Sequence, residues 1–233
     1  MKVGRYLTAF ALTFASLTAF AAASSKTDLR DRVAAANAVI KEISMTPDRG
    51  IPDYIVSRAT CVGVIPGVKK AAFVVGGSYG QGVVTCRTAH GWSAPVFIRL
   101  AGGSVGFQIG AQSTDLVLVA VNAKGFQDLL KSKFKIGGDA AASAGPVGRN
   151  ASAATDWKLN SELLTYSRAK GLFAGIDLNG AVVSQNTDDT TTFYNGNSLS
   201  FEKILHGGIA VPADARTFVS TVAHYFHSAR ASR

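Results

Sequence analysis

The chain has 233 residues, with 24 Lys and Arg against 15 Asp and Glu, for a formal charge of +9. Apolar residues make up 47% and charged residues 17%, which excludes a disordered chain, and two Cys exclude a disulfide-dense miniprotein. Glu occurs only at 42, 162 and 202, so an enzyme built on a Glu general base has few candidates.

Residues 1–23 have the form of a cleaved secretory signal. Lys2 and Arg5 precede an uncharged apolar run over 6–20, and Ala19-Phe20-Ala21 and Ala21-Ala22-Ala23 offer small-x-small cleavage sites. The alternative is a membrane anchor, but the run is short of the roughly 20 residues of a span, and polar Ser24-Ser25-Lys26 follows. Cleavage leaves a single mature domain over 24–233 carrying +7, expected to be exported to a periplasm or secreted. In an oxidising compartment Cys61 and Cys86 are expected to form a disulfide, with two buried thiols as the alternative.

A helix is expected over 28–45, where Leu29, Val33, Ala36, Ile40 and Ile43 make one apolar stripe, with Thr27 or Asp28 as cap and Thr46-Pro47 as stop. A short helix follows from Pro52 to about residue 60. Sixteen of the 24 Gly then fall between Gly63 and Gly148. Val-, Ile- and Phe-rich segments among them predict short strands over 61–65, 71–75, 82–87, 96–101, 105–108 and 116–121. Glycine within strands favours bends that curl a sheet. A helix is expected over 122–132, strands over 163–168 and 172–183, a short helix over 198–206, and a last helix from Pro212. Ala215, Phe218, Val222, Tyr225, Phe226 and Ala229 form the apolar face of that last helix. The fold class is α+β: a curved, barrel-like, mostly antiparallel sheet with helices packed at both ends of the chain.

Residues 73–80 and 99–106 echo each other, and each reads as strand, Gly-Gly-Ser turn, strand. Both contain G-x-S-x-G, around Ser78 and Ser104. A nucleophile elbow needs a strand-to-helix turn, whereas both serines are followed by Gly-rich strand-like sequence. An envelope serine hydrolase using Ser104 or Ser78 is therefore the alternative function, and no catalytic residue is assigned. None of His90, His206, His224 or His227 has a distinctive setting. His224 and His227 lack companion ligands, so neither metal nor cofactor is expected. Asp115 and Arg149 stand in apolar or Gly-rich stretches, either as a structural pair or as the lining of a small cavity.

A charge of +7 on an exported domain points to anionic surfaces; nucleic acid is not expected, since no nucleic-acid-binding motif is present. The 28–45 segment flanks its apolar stripe with Lys26, Arg30, Arg32 and Lys41, the chemistry of an interfacial helix. The alternative is that this helix packs on its own sheet. Lys69-Lys70 and the Lys131, Lys133 and Lys135 cluster add positive sites beside turns.

Six blocks in order carry a family resemblance. They are the run from Cys61 through Pro66-Gly67-Val68-Lys69-Lys70 to Phe73; Gly77-Ser78-Tyr79-Gly80-Gln81-Gly82; Gly91-Trp92-Ser93-Ala94-Pro95; Gly106 to Asp115; Ala144-Gly145-Pro146-Val147-Gly148-Arg149; and Tyr166-Ser167-Arg168 to Gly175. Together they closely resemble the SYLF domain family, over about 28–196. The resemblance implies a lipid-binding module and not an enzyme; eukaryotic relatives bind phosphoinositides and cortical actin machinery, and an amphipathic N-terminal helix takes part in membrane binding. The expected partner is an anionic phospholipid surface, met through Lys26, Arg30, Arg32, Lys41, Lys69 and Lys70, with peripheral membrane association. The leader and the missing companion domains argue against actin as a partner, and an envelope protein partner is a further alternative.

Overall fold

The computed structural model describes residues 23–45, 50–72, 75–105, 110–122, 124–125, 127, 131–136, 142–147, 163–169, 172–176, 178 and 180–231. Most of the expected leader, Arg149, and residues 123, 126 and 128–130 of the expected helix over 122–132 lie outside them, while 124, 125 and 127 are helical. No helix among the described residues is long and apolar enough to cross a membrane.

Helix α1 spans Lys26–Ser44. Its cap is Ser25, not Thr27 or Asp28: the Ser25 hydroxyl accepts from the Asp28 N–H, while the Asp28 carboxylate accepts from Ser25 N–H. This reciprocal box satisfies two otherwise orphaned donors, and its hydrogen bonds hold the Asp28 carboxyl below its ordinary range. The expected stripe is buried, with Val39 added to it. Helix α2 (Asp53–Arg58) follows, with Pro52 just ahead of its first turn.

The sheet is longer-stranded than the sequence suggests. Strands β1 (Cys61–Ala72), β2 (Val75–Thr88) and β4 (Val96–Val105) each take in parts of two segments expected to be separate, and β5 (Gly110–Ala120) begins six residues before its expected start. Pro66-Gly67 does not end β1. It makes a bulge between Ile65 and Val68, with Gly67 at φ 58°, and the Asp115 carboxylate accepts from the Gly67 N–H at 2.8 Å. The two Gly-Gly-Ser segments are not turns. They run mid-strand and pair with each other, Gly76 opposite Ser104, Gly77 opposite Gly103 and Ser78 opposite Gly102.

Shorter strands complete the sheet: β3 (Gly91–Trp92), β6 (Lys133–Lys135), β7 (Ala142–Ala144), β8 (Leu163–Ala169), β9 (Leu172–Gly175) and β10 (Val182–Gln185). The order is β6-β10-β4-β2-β1-β5-β8-β7, antiparallel except for β7 with β8, and it curls into a half-barrel. The expected strand over 172–183 is two strands. The inward face is mostly apolar, with Ile65, Leu100, Leu116, Leu118 and Phe134 buried and Thr114 and Thr165 among them. At the bulge the β1 and β2 backbones approach so closely that a Cβ on Gly82 would lie 2.1 Å from the Val64 carbonyl oxygen. Cys61 and Cys86 face each other across β1 and β2 and are disulfide-bonded.

Three helices close the chain: α3 (Thr187–Phe193), α4 (Phe201–Leu205) and α5 (Arg216–Ala231), the last preceded by a 3-10 turn at Ala213–Ala215. Helix α3 was not expected. Its signal was Asn186, whose side chain accepts from the Asp189 N–H. The α5 face buries Phe218, Val222 and Phe226, with Ala215 of the preceding 3-10 turn buried as well, and Phe226 packs on Trp92 at 5.5 Å.

Two measurements check this packing. Gly82→Ala should lower stability by about 2 kcal/mol or more, because the obstructing atoms are backbone, whereas Gly77→Ala, with nothing nearer than 3.9 Å, should be near neutral. Removing the disulfide by Cys61→Ala with Cys86→Ala should cost about 3 kcal/mol in urea denaturation.

Candidate functional site

The helices cover only part of the sheet's outer face. Arg32, near the middle of α1, fixes where the cover lies. Its guanidinium donates to Asp189 on α3 at 2.5 Å and to Gln81 on β2 at 2.7 Å, and lies over the Phe97 ring of β4 at 5.7 Å. Asn186 donates to the same Asp189 carboxylate and accepts from Arg99 at 2.6 Å, so one polar network ties α1, β2, β4 and α3 together. Further along, Arg168 on β8 pairs with both Asp115 on β5 and Glu42 on α1. Asp115 thus has a structural role, as one of the two expected alternatives had it, but the partner seen is Arg168.

Beyond Gln81 no helix among the described residues lies over the strands. The register makes a row across six strands: Ser113 on β5, Lys69 on β1, Tyr79 on β2, Ala101 on β4, Val182 on β10 and Lys135 on β6. Ser113, Lys69, Ala101 and Lys135 are exposed, and Tyr79 is 51% exposed, the largest exposed aromatic among the described residues. The neighbouring row runs Gln81, Arg99, Ser184, Lys133, with Lys133 exposed. An open, basic sheet face with a protruding phenol is suited to an anionic surface, since each cation gains from the field and the ring carries an apolar body with a polar tip.

The six cations singled out in the sequence do not converge. Lys26 donates to Asn195 at 2.5 Å, Arg30 pairs with Asp214 at 2.8 Å, and Arg32 is engaged as described. These three tie α1 to the C-terminal elements. Lys41 is exposed in the last turn of α1, where a cation complements the helix dipole. Lys69 belongs to the open row, and Lys70 holds the next register position, opposite Ser78 and Gln112. The apolar stripe of α1 is buried against its own fold, the packing alternative named for this helix. Sequence reasoning missed Tyr79 and Ser184. The period-two spacing of Lys131, Lys133 and Lys135 was the available signal for a strand with one basic face.

Ser78 and Ser104 lie within β2 and β4, away from any strand-to-helix turn. His90, His206 and His224 are exposed, at the turn after β2, the end of α4 and on α5. No group of three or more metal-ligating side chains occurs among the described residues.

The family described as Ysc84, Las17-binding protein actin regulator, matches residues 101–225. Protein YSC84 of Saccharomyces cerevisiae is 35% identical over 172 residues, 72% of this chain and 36% of its own length. SH3 domain-containing YSC84-like protein 1 of Xenopus laevis is 33% identical over 172 residues, 73% of this chain and 51% of its own. LAS seventeen-binding protein 3 of Saccharomyces cerevisiae is 35% identical over 173 residues, 71% and 36% of the two chains. The chain therefore spans about a third to a half of the length of these relatives. Their names overturn one expectation, the dismissal of actin machinery as a partner class. That dismissal rested on expectations about regions outside the match, whereas the matched region is what this chain shares with proteins named for Las17 binding.

Arg32→Ala should be the most damaging change among the six cations. It leaves Asp189 buried beside Asn186 without its cation, and urea denaturation should show a loss of about 3 kcal/mol, against under 1 kcal/mol for Arg30→Ala at the exposed pair.

Proposed function

We infer that this chain, which belongs to the Ysc84 (SYLF) family, is a non-catalytic binding module that docks on anionic phospholipid through the open face of its sheet. The observation that carries the reading is the exposed row of Lys69, Tyr79 and Lys135 with Lys133 beside it, on strand segments that no helix among the described residues covers. The attraction is electrostatic, on the order of 1 kcal/mol per basic residue near the surface, with Tyr79 seated at the headgroup level. Insertion of α1 is not needed for this contact. Its apolar stripe is committed to the sheet and α5, and Lys26, Arg30 and Arg32 to intramolecular partners. The Cys61–Cys86 bond supports an oxidising compartment, hence an exported, envelope-associated or secreted module at a membrane surface.

The relatives' names favour a second reading, in which this domain holds an actin-regulatory protein of the kind those names state. Retention of such a protein by the immobilised chain without lipid, with the same loss on altering Lys69 and Tyr79, would favour it over the membrane.

Co-sedimentation with phosphatidylcholine vesicles doped with anionic lipid tests the first reading. Binding should fall steeply with added salt, and Lys69→Glu with Lys133→Glu should weaken it about tenfold or more. Lys41→Gln should change it little. Equal binding to neutral vesicles, or loss on Lys41→Gln with the sheet variants unaffected, would contradict the proposal.

A further inference from the structure

The sheet has an edge partway along one of its long strands. β10 pairs with β4 only from Ile98 to Ala101, whereas β2 pairs with β4 as far as Val105. The Asn186 N–H donates to the Phe97 carbonyl, so the backbone groups of Phe97 point to the β10 side of β4. By the two-residue period of a strand, those of Arg99, Ala101, Gly103 and Val105 point the same way. Opposite Gly103 and Val105 there is no described residue. The chain that leads into β10 turns aside: Ala181 N–H donates to the Leu178 carbonyl, and Gly180, at φ 87°, donates its N–H to the Ile136 carbonyl just past β6. Gly103 and Val105 therefore each present one N–H and one C=O at the edge of a strand whose other side is already paired.

We propose that this edge is a docking site for an extended, acidic peptide segment of a partner protein, which adds to β4 as an antiparallel strand in the column that β10 begins. In such an addition the main chain supplies affinity, and alternate side chains supply specificity.

Composition, room and charge each support that occupant. A strand edge left to water is ordinarily guarded by Lys or Pro, and β6 at the end of the sheet is, with three residues and exposed Lys133 and Lys135. The segment Ala101-Gly102-Gly103-Ser104-Val105 has neither a charge nor a proline. A groove of about 480 Å3 opens where β10 leaves β4, and it reaches both faces of the sheet. Ser78 and Gly102 line it from one face, Lys133 and Ser184 from the other. A slot that wraps an edge suits a strand, whose side chains alternate between two faces. A Cβ on Gly180 would meet nothing within 4 Å, so the turn leaves space there.

The register places the charge. Peptide residues opposite Gly103 and Val105 put their side chains on the face that carries Ala101, Tyr79 and Lys69. On that face Lys133 lines the groove, and Lys135 stands level with Ala101 two strands out. Carboxylates at these two alternate positions meet cations, and the residue between them goes to the other face, where Gly102 has no side chain. The contact uses the edge of the sheet and not its open face, so it stands independently of membrane docking.

The test titrates the full chain with an acetylated, amidated hexapeptide of alternating Glu and Val, followed by amide NMR. The Gly103 and Val105 amides should move downfield as they gain acceptors, while those of Ala111 and Ser113, on the stretch of β5 beyond its pairing with β8, stay in place. Replacing Glu by Lys in the peptide should weaken binding about tenfold or more. In the stated register only the Glu N–H groups face β4. N-methylating the Glu nitrogens should abolish the shifts, and N-methylating the Val nitrogens should leave them. Gly103→Pro removes an outward N–H and no bond to β2, and should weaken the peptide about tenfold. Absence of shifts at 103 and 105, shifts at 111 and 113 in their place, or equal binding of the two N-methylated peptides overturns the proposal. The N-methyl comparison leaves the protein unaltered, so it decides the matter even where Gly103→Pro fails to fold.

Discussion

The placement of the Arg32 guanidinium governs what this domain can offer to a partner. It joins α1, β2 and α3 through Gln81 and Asp189 and lies on Phe97 of β4, and all of this is partly or fully buried. An uncompensated Asp189 would be costly there, so the pair holds the helix in place more than it adds net stability. With α1 held down, Leu29, Val33, Ala36, Val39, Ile40 and Ile43 are core residues and not a membrane anchor. What remains for recognition is the part of the sheet the helix does not reach.

That remainder exists because the central strands are long. β1, β2, β4 and β5 run for 10 to 14 residues, beyond the helical layer that covers their other ends. Glycine allows this in two ways. At Gly82 it lets the β1 bulge approach β2 and coil the sheet. At the paired Gly-Gly-Ser segments, Gly77 opposite Gly103 puts no side chain on the outer face beside Tyr79, which is exposed along with Lys69 and Lys135. One pattern of glycines therefore shapes both the fold and the surface through which it is proposed to act.

Much of this was legible in the sequence. The stripe of α1, the disulfide, the α+β class and the face of α5 each follow from apolar period or from cysteine placement, which local chemistry controls. The strand ends were not legible. Pro66-Gly67 and the Gly-Gly-Ser segments carry the composition of turns, and only pairing with a neighbouring strand makes them a bulge and a mid-strand register. The candidate site suffered for the same reason. Lys26, Arg30 and Arg32 looked like the basic flank of an interfacial helix, because their partners Asn195, Asp214 and Asp189 lie more than 150 residues away. Tyr79 was invisible as a site residue because its exposure depends on where α1 stops covering β2.

The central claim is that the sheet, and not α1, meets the membrane. Hydrogen exchange of the whole chain with and without anionic vesicles tests it directly. The account predicts slowed exchange in the strand segments 75–81, 99–102 and 133–135, with residues 26–44 unchanged. Altered exchange across 26–44, with those strands indifferent to lipid, would contradict it.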